Sequence, residues 1–371
     1  MRELQVVNDA ALLVYEGVVR DSGTARRIEN LAEARKAVEI DAGGRIVMPA
    51  FVEADTVLIT PGTDSPRTPS ADNSIATASK RVLEACARGA VEDWVRHGVL
   101  AMGSTTHGAK DIRDARKLLN IQKTFQTRPI RIRSVFAPGS EEIKESDSEA
   151  AVRLWASSIV EKRLAGLLEL EIPGDGLPAE LRQLESIIQH AVPHGFILRL
   201  RSESPLSVRA QQLIRESGAI SVIAPGVDSS PDPEFNRASC VWVLRTTDIL
   251  NSRQPDGYAR LLIDHGWALA LASGYRGTRT GSYNPQHLLQ LACSRLGMTI
   301  EEAITATTWN SACSLRMSTV AGSVEPGKQA DVAIIDVKDY RDLAERHGHN
   351  DVYMMLRAGR PIYRRAGLLA A

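Results

Sequence analysis

Asp55, His107, Arg201, Arg245, Tyr275 and Arg276 are the residues whose types and positions could do chemistry, because each falls at or just past the end of a short apolar run. Asp55 offers a carboxylate that could serve as a general base or as one metal ligand, but one carboxylate falls short of the three or four donors a metal centre uses. Its bland reading is a solvated rim acid paired with Arg201. His107, in Ser104-Thr105-Thr106-His107-Gly108, could carry a proton near neutral pH or cap a turn, and nothing nearby in sequence orients it. Arg201, Arg245 and Arg276 would favour a small anion or carboxylate through paired hydrogen bonds. Equally, they could be satisfied internally by Glu53, Asp55, Glu171 and Glu203, since buried arginines need partners in either case. Gly274-Tyr275-Arg276-Gly277-Thr278 lacks the lysine and glycine spacing of a phosphate loop and reads as a rim loop. Neither a nucleophile elbow nor a dinucleotide fingerprint is present.

These positions converge only if the runs that precede them lie side by side. Apolar, β-branched segments at Ile46–Val52, Val99–Gly103, Ile130–Phe136, Leu167–Ile172, Phe196–Leu200, Ala219–Ile223, Ser239–Leu244 and Trp267–Ala272 alternate with helical patterns, the signature of repeated βα units. Eight such strands predict a (β/α)8 TIM-type barrel, in which strand C-termini form the functional face. In the helix expected at Pro178–His194, Leu181, Leu184, Ile187, Ile188 and Ala191 share one face, a core stripe. Two further helices are expected at Asn284–Leu296 and Thr299–Ser314, the second opened by a Thr299/Glu302 capping box. The segment Thr60–Ser74, rich in Pro, Ser, Thr and Asp, follows the first strand and is a candidate lid.

Residues 1–45 and 318–371 have short alternating runs broken by glycines, so the two ends are expected to pair as a small composite β-sandwich around a barrel at 46–317. At 371 residues, two structural units are the natural size for the chain. Lys plus Arg (45) balances Asp plus Glu (45), which argues against nucleic acid or an anionic membrane as partner. Four scattered cysteines, Cys86, Cys240, Cys293 and Cys313, form no C-x-x-C pair, and fit a reducing compartment. With no signal-like start and no long apolar window, the expectation is a cytoplasmic protein without a membrane span.

The residues also carry a resemblance. Arg45-Ile46-Val47-Met48-Pro49-Ala50-Phe51-Val52-Glu53-Ala54-Asp55-Thr56-Val57 is similar to the first barrel strand of the amidohydrolase superfamily, which runs through Pro-Gly-Phe-Val-Asp into His-x-His. Gly322-Ser323-Val324-Glu325-Pro326-Gly327-Lys328-Gln329-Ala330-Asp331-Val332-Ala333-Ile334-Ile335-Asp336 resembles that superfamily's shared sandwich strand, and Thr307-Thr308-Trp309-Asn310-Ser311-Ala312 the helix before it. Asp339-Tyr340-Arg341-Asp342-Leu343 with Gly348-His349-Asn350 resembles a continuation found in imidazolonepropionases, hydrolases of a cyclic amide. The resemblance implies a divalent metal held by His-x-His on strand one, a histidine on strand five and an aspartate on strand eight, with an assisting histidine on strand six. Those positions here hold Asp55, Val57, Arg201, Gly274 and Ala224. Valine and glycine side chains bind no metal and an arginine has no free lone pair, so neither metal nor other cofactor is expected. The function expected is a non-catalytic or altered homologue of imidazolonepropionase that binds a small anionic molecule. The alternative is a hydrolase of non-peptide, cyclic-amide C–N bonds working through a non-standard site at His107 or Asp55. A homodimer, or partnership with an active relative, is what the resemblance implies for assembly.

Overall fold

The computed structural model describes residues 4–60, 75–126, 129–139, 143, 147–173, 178–227, 240–250, 258–276, 282–365 and 367–368. Among them, eight parallel strands form one sheet in sequence order: β4 (Phe51–Thr56), β5 (Val99–Thr105), β6 (Arg131–Phe136), β7 (Leu167–Glu171), β8 (Ile197–Arg201), β9 (Ser221–Ile223), β10 (Val241–Arg245) and β11 (Ala268–Ala272). Helices between them cover its outer face, giving the expected (β/α)8 barrel. Outward leucines, valines and tryptophans of the strands pack with those helices in the largest core cluster, while Ala54, Ile223, Val243 and Ala270 fill part of the interior. No helix among the described residues is long and apolar enough to cross a membrane.

The first strand departs from the expected Ile46–Val52 because that run serves two sheets. β3 (Ile46–Pro49) pairs antiparallel with β12 (Val332–Ile335) in the sandwich, and the barrel strand begins at Phe51. Pro49 has no N–H with which to extend a ladder, and Ala50 instead donates to the Asp331 carbonyl (3.0 Å) while Phe51 donates to Gly98 (3.0 Å). The rest of the sandwich comes from both ends of the chain. β13 (Val352–Arg357), β14 (Arg360–Arg364) and β15 (Gly367–Leu368) extend the β3–β12 pair, while β1 (Ala10–Tyr15) and β2 (Val18–Thr24) form a hairpin bridged to Gln329. The run at Thr299–Ser314 is two helices, Ile300–Thr307 and Trp309–Ser314, meeting at Thr308 (φ −124°, ψ −83°). Hydroxyls of Thr307, Thr308 and Ser311 donate back to helix carbonyls there, which competes with regular helix geometry. The Thr299/Glu302 capping box is formed. Of the lid candidate Thr60–Ser74, all but Thr60 lies outside the described residues.

The second of these helices ends in a plug for the barrel's N-terminal opening. Leu315 and Met317 pack with Val52, Ala101, Val135 and Leu167, and a Cβ on Gly103 would stand 2.4 Å from Leu315 Cδ2. Gly103→Val is therefore expected to overpack the plug and cost about 1–3 kcal/mol. A thermal midpoint unchanged from the parent would contradict this, and Leu315→Ala in the same background should recover part of the loss.

Candidate functional site

Alternation on two neighbouring strands builds the opposite, C-terminal end. Leu198 and Leu200 of β8 and Leu168 and Leu170 of β7 point outward into the core, which turns Arg199, Arg201 and Glu169 into the barrel, with Glu169 beside Arg199 in register. Arg199 has no solvent exposure, and its guanidinium meets two hydrogen-bond acceptors and one further ion-pair partner. Nη2 donates to Asp55 Oδ1 (2.8 Å), Nη1 to the Ala54 carbonyl (2.7 Å), and Nε lies 2.8 Å from Glu169 Oε2. Asp55 is accordingly not a solvated rim acid. It is 1% exposed, and its second oxygen stands 3.7 Å from both Arg201 Nη1 and Arg276 Nη2.

A second cluster sits on the first. Arg201 Nε donates to Glu203 (2.7 Å), and Arg245 donates to both Glu203 oxygens (3.1 and 3.0 Å) and, bidentately, to Asp248 (2.8 and 2.7 Å). Glu203 is the exposed member, with 55% of its side-chain surface open, whereas Arg201, Arg245 and Asp248 are buried. Desolvation opposes the charge on Arg245, but the hydrogen bonds it donates to Asp248 and Glu203 outweigh it and raise its pKa. Burial likewise works against ionised Glu203, and the two arginines overcome it and lower its pKa.

His107 Nε2 lies 2.5 Å from Glu169 Oε1 and 3.4 Å from Arg201 Nη1. The expected absence of an orienting group was a matter of sequence distance, since the partner carboxylate comes from a strand 62 residues on. Burial alone would raise the Glu169 carboxyl, yet the charges of Arg199, His107 and Arg201 prevail and hold it well below the usual carboxylate range. Glu53 is the reverse case. It accepts the Asp55 N–H (2.9 Å) and the Ser273 N–H (3.1 and 3.0 Å) across the seam where β4 meets β11. Burial dominates those bonds and pushes it up to about 8. Four arginines (199, 201, 245 and 276) thus face four carboxylates (Asp55, Glu169, Glu203 and Asp248) across the two clusters.

The remaining expected positions fall as follows. Val57 is buried hydrocarbon whose N–H donates to Tyr275 O (2.8 Å). Gly274 adopts φ +63°, and a Cβ there would meet the Arg245 side chain at 3.0–3.2 Å, so an aspartate would require Arg245 to give way and a left-handed backbone that glycine adopts more readily. Tyr275 is placed away from the arginines: it is 5% exposed, its ring packs edge-on against Trp94, and its hydroxyl meets that of Tyr283 (2.5 Å). Glu171, expected as an internal partner, is exposed, and Glu169 takes that role two residues earlier. Arg199, Glu169 and Asp248 were not singled out by the sequence; the signal that could have found the first two is the charge alternating with leucine on β7 and β8. Among the described residues, no group of three His, Cys, Asp or Glu side chains converges to hold a metal.

Comparison with known proteins agrees with this architecture. The sequence pattern of the amidohydrolase family matches residues 261–362. The chain is 24% identical to an imidazolonepropionase of Brevibacillus brevis, covering 97% of this chain and 91% of that one. It is 27% identical to an imidazolonepropionase of Solibacter usitatus, covering 99% and 94%. A 5-methylcytosine deaminase from Klebsiella pneumoniae, 16% identical, superposes with a TM-score of 0.74 over 97% of this chain and 95% of that one, a likeness of fold. The chain is thus similar to the amidohydrolase family over residues 261–362, and resembles imidazolonepropionases along nearly its whole length.

Proposed function

We propose that this protein is an altered amidohydrolase in which an arginine–carboxylate network occupies the place of the catalytic metal, and that its barrel mouth binds a small anionic molecule. The donor set does not fit a divalent ion. Of the positions that resemblance assigns to the metal, one is a valine, one a glycine lying under Arg245, and one an arginine, while the remaining carboxylate, Asp55, already accepts from Arg199. A dication placed there would face guanidinium charge and find one carboxylate, already engaged.

The observation that carries the ligand reading is the position of Glu203. This exposed carboxylate is held by Arg201 and Arg245 as an incoming anion would be. A small carboxylate that displaces it inherits a two-arginine clamp whose geometry is fixed by Asp55, Glu169 and Asp248 behind it.

A second reading is favoured by the His107–Glu169 pair. With a proton on Nε2 directed at Glu169, Nδ1 is free to accept a proton from water as its oxygen attacks an amide carbon, and to return it to the departing nitrogen. A general base of this kind contributes about 10²–10⁴-fold and here would act without a Lewis acid.

The test combines metal analysis of protein purified without chelator, assays of cyclic amides including imidazolone propionate with and without zinc, and calorimetry with small carboxylates. Substoichiometric metal and carboxylate binding that Arg245→Gln weakens about tenfold or more are the expected results. Glu203→Gln should tighten carboxylate binding, because a competing internal anion is removed. Stoichiometric metal with metal-dependent turnover would overturn the proposal, and metal-free turnover abolished by His107→Gln would establish the second reading.

A further inference from the structure

The N-terminal end of the barrel, opposite the arginine-rich mouth, carries a cluster of arginines, two of which, Arg133 and Arg316, have no ion-pair partner among the described residues. On β6, Arg131 and Arg133 lie on the face opposite Ile132, and both are partly buried. Arg133 is the ladder neighbour of Gly103, and Gly103 is the residue on which the plug side chain Leu315 rests. The next residue after that plug is Arg316, so the two guanidinium-bearing residues are brought together by the packing that closes the barrel.

Three observations distinguish this pair from ordinary surface arginines. Arg133 Nε is shut off from solvent and has no hydrogen-bond acceptor among the described residues, and the same is true of Arg131 Nε. Burial, and then the charge of Arg316, drive Arg133 below its ordinary pKa. Among the described residues no carboxylate forms an ion pair with Arg133 or Arg316. Arg131 is anchored by Gln329 (2.8 Å), and Asp331 nearby is already paired with Arg357. Arg316 itself is exposed and holds a left-handed backbone (φ +53°), a conformation that non-glycine residues adopt at some cost and that gathers at ligand sites.

A partly desolvated cation whose charged neighbour is another cation is stabilised by whatever neutralises both. We infer that the N-terminal opening of the barrel is a second anion site, in which Arg133 and Arg316 clamp a phosphate-class oxyanion. A tetrahedral dianion supplies charge for two guanidinium groups and an acceptor for each of their outward N–H groups. A monocarboxylate supplies half that charge, which separates this site in chemistry from the mouth clamp.

The test is a titration with inorganic phosphate, and in a parallel arm with the monoester phenyl phosphate, against sodium chloride of matched ionic strength, read by thermal midpoint and calorimetry. The full chain and its Arg133→Gln, Arg316→Gln and Arg276→Gln variants are compared. The expected result is a phosphate-specific rise in midpoint for the parent and for Arg276→Gln. Affinity should fall about tenfold or more in Arg133→Gln and Arg316→Gln. In chloride alone, Arg316→Gln should melt no lower than the parent, since it removes a repulsion from an exposed position. Tighter binding of the monoester would identify an esterified ligand, and equal or tighter binding of inorganic phosphate the free ion. No phosphate effect on the parent, an undiminished effect in Arg316→Gln, or an effect abolished by Arg276→Gln would each overturn the inference. Because Arg133→Gln alters a partly buried site, Arg316→Gln decides the outcome should the former fail to fold.

Discussion

Arg199→Met is expected to destabilise the protein by about 3–5 kcal/mol, the range for removing one partner of a buried ion pair. Methionine approximates the length of the aliphatic stem, so the space filled inside the barrel changes little. What is lost is the centre of the network: Asp55 and Glu169, each 1% exposed, would be left in the barrel interior with Arg201 at 3.7 Å as their shared cation. The Ala54 carbonyl would lose its donor as well. The two carboxylates should then respond by taking up protons, so the deficit shrinks as pH falls toward the ordinary carboxylate range. Urea midpoints of parent and variant, measured from about pH 5 to about pH 8, test both statements. A variant within ~1 kcal/mol of the parent would mean that Arg199 is not the keystone its contacts indicate. Adding Asp55→Asn and Glu169→Gln to Arg199→Met should restore much of the lost stability, because the penalty comes from orphaned charge and not from a missing attraction.

The barrel was readable in the sequence because its strands face a helical shell on the outside, and that contact demands the leucine, valine and isoleucine runs that mark them. The first strand misled for a physical reason. The stretch from Ile46 to Val52 is apolar throughout, and nothing in hydrophobicity distinguishes a residue paired with Val332–Ile335 from one paired with β5; the discontinuity is conformational, at Pro49 and Ala50. The site was legible to the extent that it lies at strand ends. Asp55, Arg201 and Arg276 lie together at strand ends, and Arg245 is linked to them through Glu203. Arg199 and Glu169 lie deeper, and Leu-Arg-Leu-Arg reads equally as a strand with one wet face. Only closure of the sheet makes that polar face the interior. His107 and Glu169 are similarly joined by topology, and Tyr275 is drawn off by Trp94 and Tyr283, partners that no local pattern around residue 275 announces.

Glu53 should give the stability curve an unusual slope through neutral pH. Its carboxyl titrates at about 8 in the folded chain against 4.5 for the unperturbed group, so between those values the folded protein holds a proton that the unfolded chain has released. Stability from this group is therefore complete below about pH 4.5, declines as pH rises toward 8, and levels off above it. At about 1.4 kcal/mol per unit, the separation corresponds to a difference on the order of 5 kcal/mol. Glu169 works in the opposite sense: its folded pKa is depressed, so its contribution is present above the ordinary carboxylate range and is lost as pH falls below it. The two together predict a maximum on the mildly acidic side of neutrality. Glu53→Gln separates them, because glutamine keeps the size of the protonated acid and a carbonyl oxygen for the Asp55 and Ser273 N–H groups that join β4 to β11, yet cannot ionise. The variant should match the parent near pH 5 and exceed it by several kcal/mol near pH 8, with the acid limb unchanged. Parallel urea-midpoint profiles for the two proteins across this range would show that Glu53 is already ionised at neutral pH. In that case the barrel mouth would carry an excess negative charge, and the binding of a small anion proposed for it would have to overcome that charge.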